Sequence, residues 1–431
     1  VITPARPSSA EPAMSSARAE LRDEVFRSDQ RLLDLCIALV QVPSENPPGD
    51  TRAIAARVRA LLSPLGARVE IVAGEPSMPN VMAVTRGRRP GRRLVFNGHL
   101  DTFPAGDRAA WSVDPFAGIV RDGRLYGRGI SDMKGGMAAS LLAFELLHAR
   151  REHWDGELVL ALASDEETMG RWGTAYLLET VPEARGDAMI CGDCGSPMIA
   201  RFGEKGLLWL RVTAHGRAAH GAHVHLGDNA AEKLAEALRR LAQLRGVPVA
   251  TPPAIEAAIQ EAKSVSEPLS GAGESEVLRT VTVNVGTLSA GHKINLVPDR
   301  ATAEVDVRVP VGLGTEACLA EVHRLVAPLT GVEVEVLRRF EPTATDPGHE
   351  IFRLLCDNAE AVMGKRPVLN MRVGASDARL YRAAGVPTAV YGPTPYSMGG
   401  PDEHVTLEDL SAIARVFALT AFDFLAPRRG D

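Results

Sequence analysis

Leu21, Val25, Leu32, Leu33, Leu35, Ile37 and Leu39 fall on helical spacing, so the ordered chain is predicted to begin near residue 21. The stretch Val42-Pro-Ser-Glu-Asn-Pro-Pro-Gly49 ends that face, and residues 51–65 predict a second helix closed by Gly66. Strands over 69–73, 81–85 and 94–97 follow, then a helix over 132–149. Continuous apolar runs at 158–163 and 188–191 are of the kind buried in a sheet covered on both faces. Such alternation predicts a layered α/β domain.

Between Gly206 and Phe340 the pattern changes. A strand over 207–214, a helix over 229–244, strands over 281–288 and 301–309, a helix over 315–327 and a strand over 332–337 give the order βαββαβ. That order fits a small open-faced α+β sandwich. The Pro/Ser/Gly-rich stretch 252–275 reads as a long loop within it. After Pro342 the α/β pattern resumes with a helix over 350–363 and a strand over 387–391. The expectation is an α/β domain over 21–205 and 341–431, with a mixed, mostly parallel sheet covered by helices. An α+β insertion over 206–340 interrupts it, and residues 1–20, rich in Pro, Ser and Ala, read as a flexible tail rather than a signal peptide.

Composition excludes more than it identifies. The 431 residues are 45% hydrophobic and 24% charged, an ordinary globular balance. A formal net charge of −6 gives no electrostatic reason to expect nucleic acid or an anionic membrane as partner. Apolar runs stop at six to eight residues, far short of the roughly 20 that span a bilayer. Five cysteines do not make a disulfide framework and point to reduced thiols in the cytoplasm.

Chemistry shows at the ends of the buried strands. Leu94-Val-Phe-Asn-Gly-His-Leu-Asp101 puts His99 and Asp101 at one strand end, and Leu158-Val-Leu-Ala-Leu-Ala-Ser-Asp-Glu-Glu167 puts three acids at another. Ala188-Met-Ile-Cys-Gly-Asp193 adds Asp193 after a third. Ligand sites in open α/β sheets form outside these carboxyl ends, and a divalent cation keeps converging carboxylates ionised and imidazole neutral. His99 would be a nitrogen ligand, with Asp101 accepting its other ring N–H. Asp132, in a glycine-rich lead-in to a helix, could bridge two metals or hold one. Glu166 and Glu167, on opposite sides of an extended segment, would divide two roles: one ligand, and one base toward a metal-held water. Each feature alone has an ordinary reading: a surface His–Asp pair, a solvated strand end, an acid favoured by a helix dipole. Their occurrence together at successive strand ends points to a metal.

Gly98-His-Leu-Asp-Thr-Phe-Pro104, Trp111-Ser-Val-Asp-Pro-Phe116, Tyr126-Gly-Arg-Gly-Ile-Ser-Asp-Met-Lys134 and Asp165-Glu-Glu167 closely resemble signatures of one metallohydrolase family. It is the family of carboxypeptidase G, succinyl-diaminopimelate desuccinylase, acetylornithine deacetylase and aminoacylase. The resemblance runs from about residue 30 to the C-terminus. It implies a catalytic domain with a two-metal, usually zinc, site and an inserted lid domain that makes a homodimer. Residue by residue, His99 matches a terminal ligand, Asp132 the bridging ligand, Glu166 the general base, Glu167 a ligand of the second metal and Asp193 a ligand of the first. His220, in His215-Gly-Arg-Ala-Ala-His-Gly221, matches the lid histidine that in related enzymes reaches the partner's active site and stabilises an oxyanion. Asn295 and Arg308 match lid residues that contact substrate, Arg308 being suited to a carboxylate; without the resemblance, Arg308 reads equally as a strand-end surface cation.

One departure matters. The family's last ligand is a histidine four residues before a glutamate, and aligning Tyr396-Ser-Met-Gly-Gly-Pro-Asp-Glu-His-Val405 on Glu403 puts Gly399 at that position. Either His404 or another histidine substitutes, or a single ion, zinc or manganese, serves; the single ion is the favoured expectation. The leading function is metal-dependent hydrolysis of a C–N bond in a small N-acyl amino acid or related carboxylate. The alternatives are a one-metal aminohydrolase that releases ammonia from an electron-poor aromatic amine such as nitroanthranilate, and an inactive ligand-binding dimer. Cys191-Gly-Asp-Cys194 has no second cysteine pair to support redox or zinc-ribbon chemistry, and His223 and His225 read as a solvated lid loop.

Overall fold

The computed structural model describes residues 10–427. The described chain divides into two compact units, one formed by residues 10–202, 345–369 and 376–427, the other by 203–344 and 370–375. In the first, strands run in the order Arg68–Val72, Asn80–Arg86, Glu157–Ala163, Arg93–His99, Ala188–Cys191, Thr388–Val390 and Ile199–Glu204. The pairs joining Glu157–Ala163, Arg93–His99, Ala188–Cys191 and Thr388–Val390 are parallel; the flanking pairs are antiparallel. The central strands are apolar throughout because both faces are covered. On one side Val95, Val159, Ala161 and Met189 pack with Leu177 and Tyr381. On the other, Phe96 stacks on Phe417 of the helix Leu407–Leu425, ring centroids 5.2 Å apart. That helix is buried almost all round, which flattens its periodicity.

Part of the expected tail is helical. The helix Ala10–Phe26 buries Ala17, Leu21 and Val25, spaced four apart on one face, and Arg18 pairs with Asp423 at 2.6 Å. The remainder of the expected tail, residues 1–9, lies outside the described residues.

The second unit carries a four-stranded antiparallel sheet ordered Thr282–Ala290, Arg300–Val309, Gly206–His215, Val332–Phe340. Burial alternates strictly along Arg300–Val309. One face meets the helices Ala230–Leu241 and Thr315–Val326 through Leu234, Ala237, Leu241, Cys318 and Val322. Each large side chain fully buried there contributes about 1.5–3 kcal/mol. The opposite face carries ion pairs such as Arg211 with Glu304 and Glu335. The expected long loop at 252–275 is instead the helix Pro253–Ser270 and the start of a second helix, Glu274–Arg279. Ile255, Ala258, Ile259, Ala262 and Ser266 make a buried helical stripe that the Pro and Ser content masked.

Candidate metal centre

Three parallel strands end within two residues of one another. His99 lies across from Ala163, and Asn97 from Cys191, so the segments that follow leave one edge of the sheet together. The chain before the helix Gly135–Ala149 reaches the same edge. A Cβ on Gly136 would stand 1.8 Å from the Gly192 carbonyl oxygen, so glycine alone permits this approach. The effect is to bring Asp132 and Asp193 into one neighbourhood.

His99 is buried, its Nε2 3.1 Å from Oδ1 of Asp132. Its Nδ1 lies 2.8 Å from the backbone carbonyl of Asp101, which accepts the ring proton and leaves the Nε2 lone pair facing Asp132 when the ring is neutral. The expected contact with the Asp101 carboxylate is corrected: its Oδ1 is 3.7 Å from Nδ1. Both oxygens serve the neighbouring segments instead. Asn46 Nδ2 donates to Oδ2 at 2.9 Å, and the backbone N–H groups of Glu166 and Glu167 donate to Oδ1 and Oδ2 at 3.2 and 3.1 Å.

Glu166 and Glu167 do not lie in extended backbone. Asp165 takes a left-handed φ of 75°, reversing the chain straight after the strand, and the two glutamates enter a single 3₁₀ turn, Glu166–Thr168. The Asp165 carboxylate fixes that turn, accepting from the Trp172 backbone at 2.9 Å and from the Thr168 hydroxyl.

Among the described residues, two sets of donor atoms each lie within 4.8 Å of one another: His99, Asp132 and Glu167, and Asp132, Asp193 and Cys194. Asp132 belongs to both. The resemblance gives Asp193 to the first metal and Glu167 to the second; here the Asp101-held turn sets Glu167 beside His99. The donor set fits divalent metal: imidazole, carboxylates and a thiol, with a buried Glu167 Oε1 that takes no hydrogen bond. Burial pushes the Glu167 carboxyl up to about 10, with the Asp132 charge adding to it. Burial also holds the Glu166 carboxyl well above the usual range, with Asp377, Asp193 and Asp132 adding to it against the pull of His99. Burial opposes charge on His99, but the Asp132 hydrogen bond and the charges of Glu166, Asp132 and Asp101 outweigh it and raise its pKa. A cation would reverse these preferences, favouring carboxylate and neutral imidazole.

Three supporting residues escaped the sequence reading. Glu403, used there only as a register mark, accepts from the Gly129 and Ser131 backbones at 3.1 and 3.0 Å and from the Ser131 hydroxyl at 2.7 Å. It also pairs with fully buried Arg128, which donates to the Gly399 and Gly400 carbonyls at 3.1 and 2.9 Å. Asp377 accepts from the Thr174 hydroxyl at 2.6 Å, and burial pushes its pKa up to about 6. The pairing of His404–Thr406 with Arg124–Tyr126 sets Glu403 beside the Asp132 segment. A separation of more than 270 residues hid that contact from local pattern.

Gly399 adopts a left-handed φ of 73°, a backbone that disfavours histidine as well as lacking its ring. His404 joins neither donor set. Its Nδ1 meets the Asp402 carbonyl at 2.9 Å and its ring stacks on Tyr396.

The remaining predicted residues belong to the second unit. His220 is exposed on the short strand Ala219–His220, which pairs with Leu296–Val297, and the Gly221 N–H donates to the Asn295 carbonyl at 2.8 Å. This places His220 and exposed Asn295 on adjoining segments. Arg308 is half-buried, its Nε donating to both oxygens of Asp306 at 2.8 and 3.1 Å.

The family model for peptidase family M20/M25/M40 matches residues 95–423. The chain belongs to that family. M20 membership makes it a metal-dependent hydrolase of carbon–nitrogen bonds. The chain is 32% identical over 399 residues to a succinyl-diaminopimelate desuccinylase of Gluconacetobacter diazotrophicus, covering 90% of this chain and 95% of the relative. It is 30% identical over 392 residues to the Rhodospirillum centenum protein of that name, covering 88% and 93%. Among solved structures, an M20 family metallo-carboxypeptidase from Sulfolobus solfataricus superposes with a TM-score of 0.75 at 19% identity, over 91% of this chain and 99% of that one. A dinuclear metal binding peptidase of the M20 family from Bacillus subtilis gives 0.65 at 15%, over 93% and 99%. These two likenesses show the shared M20 fold.

Proposed function

We propose that this M20 hydrolase cleaves the amide bond of a small N-acyl amino acid, with Glu166 as general base beside a divalent metal, zinc or manganese. The carrying observation is the set His99, Asp132 and Glu167 at the carboxyl edge of the sheet, with the Glu166 backbone tied to the same Asp101 carboxylate as Glu167. Relatives named as desuccinylases, aligned over about nine-tenths of this chain, support the acyl amino acid class. When bound, the metal would lower the pKa of a coordinated water and polarise the scissile carbonyl. His99, Asp132, Glu167 and Asp193 would hold it, and the two donor sets sharing Asp132 support two ions in place of the single ion expected from Gly399.

Glu166 takes the proton from the attacking water and returns it to the leaving amine, so one carboxyl serves as base and then acid. Asp101 acts as a positioning residue through the Glu166 and Glu167 backbones. His220 Nδ1 accepts from the Ala222 N–H at 3.2 Å, which leaves the ring proton on Nε2 as a donor suited to an oxyanion. Asn295 and Arg308 are assigned to the substrate's polar end. The exposed edge strand Thr282–Ala290, with Val285 and Leu288 open to solvent, supports a homodimer through the second unit. No described helix is long and apolar enough to cross a membrane. All five cysteines are outside disulfides, in keeping with the cytoplasm.

The test is a product assay on N-succinyl and N-acetyl amino acids set against amino-substituted nitroaromatics. Equal amounts of carboxylic acid and free amino acid are expected from the first group. Ammonia from the nitroaromatics, with no acyl substrate cleaved, overturns the amidase reading.

A further inference from the structure

Gly399 supplies no donor where the family resemblance sets a histidine, yet a sulfur atom lies beside that turn. Met398 Sδ is 3.4 Å from Cys194 Sγ. Cys194 is buried, immediately follows Asp193, and shares with Asp132 and Asp193 the 4.8 Å spacing of a donor set. We propose that Cys194 is a metal ligand on the Asp193 side of Asp132, a thiolate added to those two carboxylates. This deepens the metal-dependent reading above and rests on it.

The chemistry is that of a soft donor added to hard ones. Binding requires the thiolate, so as the metal–sulfur bond forms the Sγ proton passes to solvent, one per ion held at this position. Sulfur shifts the preference of an otherwise oxygen-rich set away from manganese or magnesium and toward zinc, cobalt or cadmium. Cys191, the other cysteine of the C-x-x-C, packs inside the apolar cluster with Val95, Val159 and Met189 and is the natural control.

The experiment loads metal-stripped full-length protein with cobalt(II) and records near-ultraviolet absorption together with bound cobalt. A sulfur-to-cobalt charge-transfer band is expected in wild type and in Cys191→Ser, and is lost in Cys194→Ser. The affinity ratio of zinc over manganese is expected to fall by about tenfold or more in Cys194→Ser. Wild-type protein that binds cobalt without the band overturns the sulfur ligand and leaves the metal reading standing, whether or not the variant folds. A band that survives Cys194→Ser and vanishes in Cys191→Ser overturns it too. Failure of wild type to take up cobalt, zinc or manganese sinks both readings.

Discussion

The carboxylate of Asp101 accepts the backbone N–H of Glu166 at 3.2 Å, while His99 Nδ1 bonds to the backbone carbonyl of Asp101 and not to that carboxylate. Asp101 therefore positions the glutamate turn more than the imidazole. Replacing Asp101 with Ala strands the N–H groups of Glu166 and Glu167, and each buried unsatisfied donor costs about 1–3 kcal/mol. Metal affinity is expected to fall about 10–100-fold, with Asp101→Asn intermediate because it keeps one acceptor oxygen. Chemical denaturation and metal titration on the same samples check both parts.

Glu166→Gln keeps the shape of the side chain and removes the base. A loss in kcat of about 10²–10⁴-fold is expected, with metal content unchanged. Turnover retained at the wild-type rate would remove Glu166 from the reaction.

Arg128 and Glu403 are each only 1% exposed. Removing one partner leaves a buried charge uncompensated, a cost of about 3–5 kcal/mol. Glu403→Ala should fall in that range by urea unfolding, and should weaken metal binding because Gly129 and Ser131 lose their shared acceptor ahead of Asp132. The double variant with Arg128→Met should lose less than the two single losses added together.

Lys205 is buried in the second unit, its Nζ donating to the Val277 and Thr280 carbonyls at 2.7 Å each. Burial lowers its pKa from 10.5 to about 7. Below pH 7 the folded protein carries the full cost of the buried charge. From pH 7 toward 10.5 the unfolded chain binds the extra proton, so stability rises with pH. The melting temperature of wild type relative to Lys205→Met should climb between pH 6 and pH 9; a flat difference would show that the ammonium is not penalised there.

Lysine at Val285 and Leu288 places charge along the exposed edge of the strand Thr282–Ala290. Charged edges block strand pairing, so wild type is expected to sediment as a dimer and the double variant as a monomer. A wild-type monomer at micromolar concentration would dispose of the homodimer.

The strands were readable because their run lengths and composition depend on burial alone. Leu158 to Ala163 must be apolar when a sheet is covered on both sides, whatever covers it. His99, Asp132, Glu167 and Asp193 stood out as candidates because each follows a buried segment or leads into a buried helix. The helix Pro253–Ser270 was not, since its proline and serines mimic loop composition while its buried stripe decides the fold.

By itself the sequence determined the α/β class, the insertion and the residue types gathered at one sheet edge. Tertiary structure alone decided the partners. Asp101 turned to the Glu166 and Glu167 backbones, Glu403 reached Ser131 across more than 270 residues, and Cys194 joined Asp132 and Asp193. The physical reason is that burial leaves a periodic mark along the chain. A hydrogen bond or a shared donor set between distant segments depends on a few ångströms of packing and leaves none.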